Sequence, residues 1–112
     1  MIKSRQIKYK PPVTITGDYT ILETDDDIIC NGSGAIALTL PAASSGNAGR
    51  KLRIKTIADQ AVNSASSNIA PIDSATAGTA ILPAYKGSWA EIVSNGSNWV
   101  MMTYLPANLL LY

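Results

Sequence analysis

Residues Tyr19–Ala43 read YTILETDDDIICNGSGAIALTLPAA, and this stretch decides the fold class. A short β-branched run is followed by an acidic turn and a second run at 27–31. An Asn-Gly pair then leads to a third run at 35–40, closed by Leu40-Pro41-Ala42. Apolar residues alternating with small or polar ones suit pleated chain with one face buried. Asn31-Gly32 tolerates the positive φ of a tight turn, so the sequence predicts a hairpin here, with Ser33-Gly34 lengthening its loop. None of these elements carries the residues of a reactive centre.

The same signals recur on both sides of this segment. Strands are expected near 13–16, 19–22, 27–31, 35–40, 50–57, 68–72, 79–82, 88–94 and 98–104, while 58–67 suits a short strand or an irregular loop equally. Asn95-Gly96 is a second hairpin signal. Along 50–55 the order places Leu52 and Ile54 inward and Lys51, Arg53 and Lys55 outward. Along 35–40 it places Ile36, Leu38 and Leu40 inward. In 98–104, Trp99, Met101 and Thr103 alternate with Val100, Met102 and Tyr104; both faces are largely apolar, as in a strand buried twice or held at an interface. The Ala-rich stretch 74–80 is interrupted by Gly78 and Thr79, and no capped helical repeat occurs elsewhere. The expected fold is all-β: an antiparallel β-sandwich or jelly-roll-like domain over 13–105. It is preceded by an extended N-terminal arm, 1–12, stiffened by Pro11 and Pro12, and followed by an apolar C-terminal tail, 106–112.

A chain of 112 residues fits one domain. Its core is thin: there is no Phe, two Trp and five Tyr, and the apolar content comes mainly from Ala, Ile and Leu. Association is therefore expected to supply part of the stability. The net charge of +1 gives no global attraction to nucleic acid or anionic membrane. Charge is nevertheless blocked, with Lys3, Arg5, Lys8 and Lys10 first, then Asp18, Glu23 and Asp25–Asp27, then Arg50, Lys51, Arg53 and Lys55. Such blocks suit contacts between subunits or with a scaffold, and equally suit solvated loops. The single cysteine, Cys30, lies in a strand-like run as a small core residue. No run is long enough for a membrane helix and no signal peptide is evident, so synthesis in a cytoplasm is expected.

The chemistry the sequence can support is narrow. Without His there is no Ser-His-Asp arrangement and no imidazole base or zinc ligand. Glu23 and Glu91 are the only glutamates. Asp25, Asp26 and Asp27 are consecutive, without the spacing of a calcium loop, and read better as an acidic turn or a partner for the Arg50–Lys55 cluster. The Gly46–Lys51 stretch lacks the frame of a phosphate-binding loop. Trp89 and Trp99 suit core or interface positions better than sugar stacking. No aromatic is interleaved with Lys51, Arg53 and Lys55, which argues against single-strand nucleic-acid binding. No catalytic residue, cofactor or metal is expected.

From Gly17 to Met102 the chain resembles a module of tailed-phage virion proteins, among them tail fibres, tailspike head-binding parts and small capsid-decoration proteins. The resemblance rests on Tyr19-Thr-Ile-Leu-Glu-Thr-Asp-Asp26, then Asn31-Gly-Ser-Gly34 with Leu38-Thr-Leu-Pro-Ala-Ala43. Gly49-Arg-Lys-Leu-Arg-Ile-Lys55 follows, and Ile92-Val-Ser-Asn-Gly-Ser-Asn-Trp99 comes last. Each piece is weak alone and the ordered set is fairly specific. Pro71-Ile-Asp73 resembles the family's middle turn. The resemblance implies a β-sandwich that assembles as a homotrimer without enzymatic activity.

The expected function is therefore that of a phage virion structural protein. The foremost reading is a trimeric capsid-decoration (cement) protein that binds and stabilises the icosahedral head; chain length favours it over a long fibre. The alternative is a tail fibre or tail adaptor component with a host-glycan-binding role. Expected partners are further copies of the chain and the major capsid protein or another virion protein, with no nucleic acid and no membrane. The expected location is the virion, after synthesis in the bacterial host. Ile2, Lys3, Arg5, Ile7, Lys8 and Tyr9 of the arm are assigned to capsid or neighbour contact. Trp99, Met101, Leu109, Leu110, Leu111 and Tyr112 are assigned to the oligomer interface.

Overall fold

A computed structural model of the chain describes residues 9–107. Ten strands follow one another: β1 (Val13–Ile15), β2 (Tyr19–Thr20), β3 (Asp27–Cys30), β4 (Ile36–Thr39) and β5 (Lys51–Thr56), then β6 (Val62–Ser64), β7 (Ile69–Ala70), β8 (Ala80–Leu82), β9 (Trp89–Ser94) and β10 (Trp99–Leu105). No α-helix occurs among the described residues. Each expected strand is present, and the ambiguous stretch 58–67 contributes β6.

The strands form two mixed sheets, one of six strands in the order β1-β3-β5-β9-β10-β7 and one of four in the order β2-β4-β6-β8. The first half of the chain is wound. β1 leads to β2, β3 to β4 and β5 to β6, each step passing from the larger sheet to the smaller. Successive windings lie parallel on one another, with Val13 beside Ile28 and Ile28 beside Ile54 in one sheet, and Ile36 beside Val62 in the other. The second half closes the structure with reversed strands: β8 runs antiparallel to β6, β9 to β5, and β10 to β9. β7 ends the larger sheet, parallel to β10.

This corrects the expected antiparallel, jelly-roll-like arrangement. Five pairings are parallel and three antiparallel. Consecutive strands of the first half lie in different sheets, so none of them pairs with its neighbour in sequence. It also corrects the Asn31-Gly32 hairpin. β3 and β4 do not pair, and residues 31–35 form a corner between sheets. The left-handed residue of that corner is Gly34, at φ 80°, and not Gly32. Asn95-Gly96 does make the expected hairpin, with Gly96 at φ 95° and the Asn95 N–H donating to the Asn98 carbonyl at 3.0 Å.

Stacked corners explain why the chain winds. The Asn31 N–H donates to the Ile15 carbonyl, and the Ile57 N–H to the Cys30 carbonyl, so the ladder continues past each strand end. Gln60, wholly buried, joins the three corners. Its Oε1 accepts the Gly32 N–H at 3.1 Å and its Nε2 donates to the Thr16 carbonyl at 3.3 Å. Gly32 sits so close to the corner below that a Cβ there would lie 2.1 Å from the Thr16 carbonyl oxygen. Only glycine fits that approach.

One hydrophobic cluster takes side chains from both sheets. Ile28, Cys30, Leu52, Ile54, Ala90 and Ile92 come from the larger sheet, and Ile36, Leu38, Val62 and Leu82 from the smaller. Cys30 is a free, buried core thiol, as expected. The alternation read in β4 and β5 holds. In β10 a bulge between Met101 and Thr103 shifts the parity, so Thr103 stands beside Glu91 while Tyr104 packs on the core.

Candidate interaction surface

The outer face of the six-stranded sheet carries Asp27, Lys51, Arg53, Lys55 and Glu91 together with Ile29, Trp89 and Leu105. Register builds it row by row. Asp27, Arg53, Glu91 and Thr103 align across β3, β5, β9 and β10. The next row is Thr14, Ile29, Lys55, Trp89 and Leu105. Residues two apart on a strand share a face, so both rows point away from the core.

Arg53 grips Asp27 with both arms: Nε donates to Oδ1 at 2.7 Å and Nη2 to Oδ2 at 3.0 Å. The guanidinium holds the Asp27 carboxyl below its ordinary range, and the carboxylate raises Arg53 in return. This pair stands between two shallow grooves. One, of about 330 Å³, is lined by Pro12, Ile29, Lys55 and Trp89. The other, of about 380 Å³, is lined by Tyr9, Lys10, Asp26, Lys51 and Glu91. A half-buried indole with apolar neighbours, flanked by charges of both signs, is the composition of a protein-docking face.

The acidic block is structural at its centre. Asp25 is 1% exposed, and its Oδ2 accepts the Tyr19 hydroxyl and the Leu22 N–H, both at 2.7 Å. The Lys10 ammonium lies 3.7 Å from Oδ1. Burial pushes the Asp25 carboxyl up, but the Leu22 N–H, the Tyr19 hydroxyl and Lys10 together draw it below the usual carboxylate range. The Tyr19 hydroxyl, donating to that carboxylate, is raised. Arg50 closes the turn from outside, its Nη2 donating to the Leu22 and Asp25 carbonyls, each at 2.8 Å. Of the two readings of the acidic block, the turn is present, and pairing with the Arg50–Lys55 cluster occurs at Arg53, while Arg50 bonds the turn's backbone carbonyls. Among the described residues no three His, Cys, Asp or Glu side chains converge on a metal-sized space. No helix among them is long and apolar enough to cross a membrane.

Two residues assigned to the oligomer interface lie elsewhere. Trp99 is 0% exposed and its Nε1 donates to the Pro41 carbonyl at 2.9 Å; Met101 is 5% exposed. Both spend their surface inside the single chain, because β10 turns that parity inward over the smaller sheet. On β9 and β10 the large apolar side chains left open to solvent include Met102, at the bulge, Leu105 and the half-buried Trp89. Trp89 was separable from Trp99 in the sequence, since it shares parity with the charged Glu91 while Trp99 shares it with Met101. Of the arm residues, Tyr9 is exposed and lines the second groove. Ile2, Lys3, Arg5, Ile7 and Lys8, and Leu109–Tyr112, lie outside the described residues. A third cleft, of about 610 Å³ and largely apolar, opens between the sheets beside Ile72, Ile81 and Tyr104. Comparison with protein-family models, curated proteins and solved structures gives no match.

Proposed function

We propose that this chain is a structural protein of a tailed-phage virion: a homotrimeric, two-sheet β-sandwich that decorates the icosahedral head and clamps adjacent capsomers. It acts by binding, without turnover or cofactor. Its partners are its own copies and the major capsid protein, and neither nucleic acid nor membrane is bound. The ordered motif set from Tyr19 to Trp99 carries this reading. The outer sheet face supports it, because two aligned rows of charged and partly exposed apolar side chains, with a groove on either side of the Asp27–Arg53 pair, offer a surface to another protein.

The test is electron microscopy of particles of the encoding phage with this chain gold-labelled, alongside light scattering of the purified protein. Label over the head at three-fold positions and a trimeric mass are expected. Label confined to the tail would favour the alternative, a tail fibre or adaptor component that binds host glycan. The observation favouring that alternative is the groove in which Trp89 stands beside Asp27, Arg53 and Lys55. Particles without label would overturn both.

A further inference from the structure

We propose that the groove beside Trp89 is where the partner protein docks, and that it takes a carboxylate side chain carried between apolar ones. This docking rests on the protein-binding reading above and names the chemistry the partner must present.

The charges on the outer sheet face are not evenly matched. Lys51, Arg53 and Lys55 stand outward along β5, with Asp27 and Glu91 beside Arg53 on the neighbouring strands. Asp27 gives both oxygens to Arg53, and Glu91 adds its field to that guanidinium from the other side. The groove at Lys51 also holds both signs, Lys10 and Lys51 with Asp26 and Glu91. Lys55 differs. Its row, Thr14, Ile29, Lys55, Trp89 and Leu105, holds no carboxylate. Among the described residues no acidic group forms an ion pair with it. Its neighbours in register are Ile29 and Trp89, both half-buried, and with Pro12 they wall a groove of about 330 Å³.

Such a site selects its ligand by charge complementarity. A carboxylate entering beside Lys55 makes an ion pair that the described chain does not supply. Apolar groups on either side of that carboxylate would cover the indole and Ile29, removing water from the pair and strengthening it. Asp27 repels a second acid from the middle of the face, which fixes where the first one goes. A phosphate backbone is bound by many cations together, whereas this groove offers one that is not already engaged, as suits a single protein side chain.

Co-sedimentation with purified heads of the encoding phage that lack this chain tests the docking. Wild-type chain should bind them, less tightly as salt is raised. Lys55→Glu and Trp89→Ser should each weaken binding by about tenfold or more, and Lys55→Arg should retain it. Lys51→Glu, the same charge change in the other groove, should cost several-fold less. Amide spectra check that each variant is folded, and light scattering follows its oligomeric state. Folded Lys55→Glu and Trp89→Ser chains that bind as wild type overturn this inference and leave the decoration reading standing. So does a loss in Lys51→Glu equal to that in Lys55→Glu, the mark of a general charge effect. Loss of the oligomer in Lys55→Glu would give the groove to a second copy, and a Trp89 indole N–H that shifts on titration with host surface polysaccharide would give it to a glycan; either overturns the inference. Wild-type chain that does not bind the heads overturns the decoration reading together with it.

Discussion

At the scale of single residues, the closest tolerances lie at the corner where three windings meet. Gly32→Ala would set a Cβ against backbone, at 2.1 Å from the Thr16 carbonyl oxygen, and the winding below would have to move. A loss of about 1–3 kcal/mol is expected, as for other overpacked sites, read as a lower urea midpoint. Gly17→Ala is the control: its Cβ meets nothing within 4 Å, and the change should stay within about 0.5 kcal/mol. Gln60→Ala removes the one side chain that bonds both neighbouring corners, leaving the Gly32 N–H and the Thr16 carbonyl without it; about 1–3 kcal/mol is expected here too. None of this was visible in the sequence. Asn31-Gly32 carries the same letters as a hairpin turn, and Gln60 sits in the stretch that read as strand or loop alike. Their roles come from backbone sixteen or more residues away, which local pattern does not encode. Cys30 was legible, because a small apolar residue inside an alternating run has one natural place. Burial raises its thiol to about 11. A thiol reagent at about pH 8 should leave it unmodified until denaturant opens the core, since the thiolate is the reactive form.

Strands were legible as elements, and their partners were not. Alternation of Leu52 and Ile54 with Lys51, Arg53 and Lys55 is a local property, and it held. Which strand lies beside β5 depends on where the corners send the chain, and corner and hairpin use the same turn residues. The bulge at Met102 had a similar effect on β10. A strict period of two placed Thr103 with Trp99, whereas the extra residue turned Tyr104 inward instead. The β9–β10 hairpin is tied to the end of β4 by the bond from the Trp99 indole to the Pro41 carbonyl. Trp99→Phe keeps most of the apolar volume but removes that donor, so about 1–3 kcal/mol of stability should go, while Trp89→Phe should change stability little. The same pair of variants separates the two indoles by fluorescence. With Trp89 as the only tryptophan, emission should be red-shifted and quenched by iodide; with Trp99 alone, it should be blue-shifted and protected until unfolding. Equal quenching of the two would contradict the burial of Trp99 inside one chain.

At the scale of the molecule, the acidic turn couples the first winding to pH. The Asp25 carboxylate joins Lys10 at the approach to β1, Tyr19 in β2 and the Leu22 N–H in the connection to β3. Asp27 joins β3 to β5 through Arg53. Both carboxyls are held below their ordinary value, Asp25 by its hydrogen bonds and Lys10 against the opposing effect of burial, Asp27 by the guanidinium. A carboxyl depressed in the folded chain contributes stability in full above its unfolded pKa of about 3.9, and that contribution is lost as pH falls through the folded value. Urea midpoints measured across pH should therefore be level near neutrality and decline below about pH 4. The two groups should differ in solvent screening. Asp25 is buried, so Asp25→Asn should lower the neutral plateau and flatten the acid decline even in high salt. Arg53 is 61% exposed, so salt should erase most of what Asp27→Asn removes. An acid decline left unchanged in Asp25→Asn would show that the turn does not control it. Because Asp25 holds only the first winding, acid should first loosen residues 10–25, while the pairing of β5, β9 and β10 persists. Amide exchange at about pH 4 should accordingly quicken at Ile21 and Leu22 before it quickens at Ile54 or Ile92.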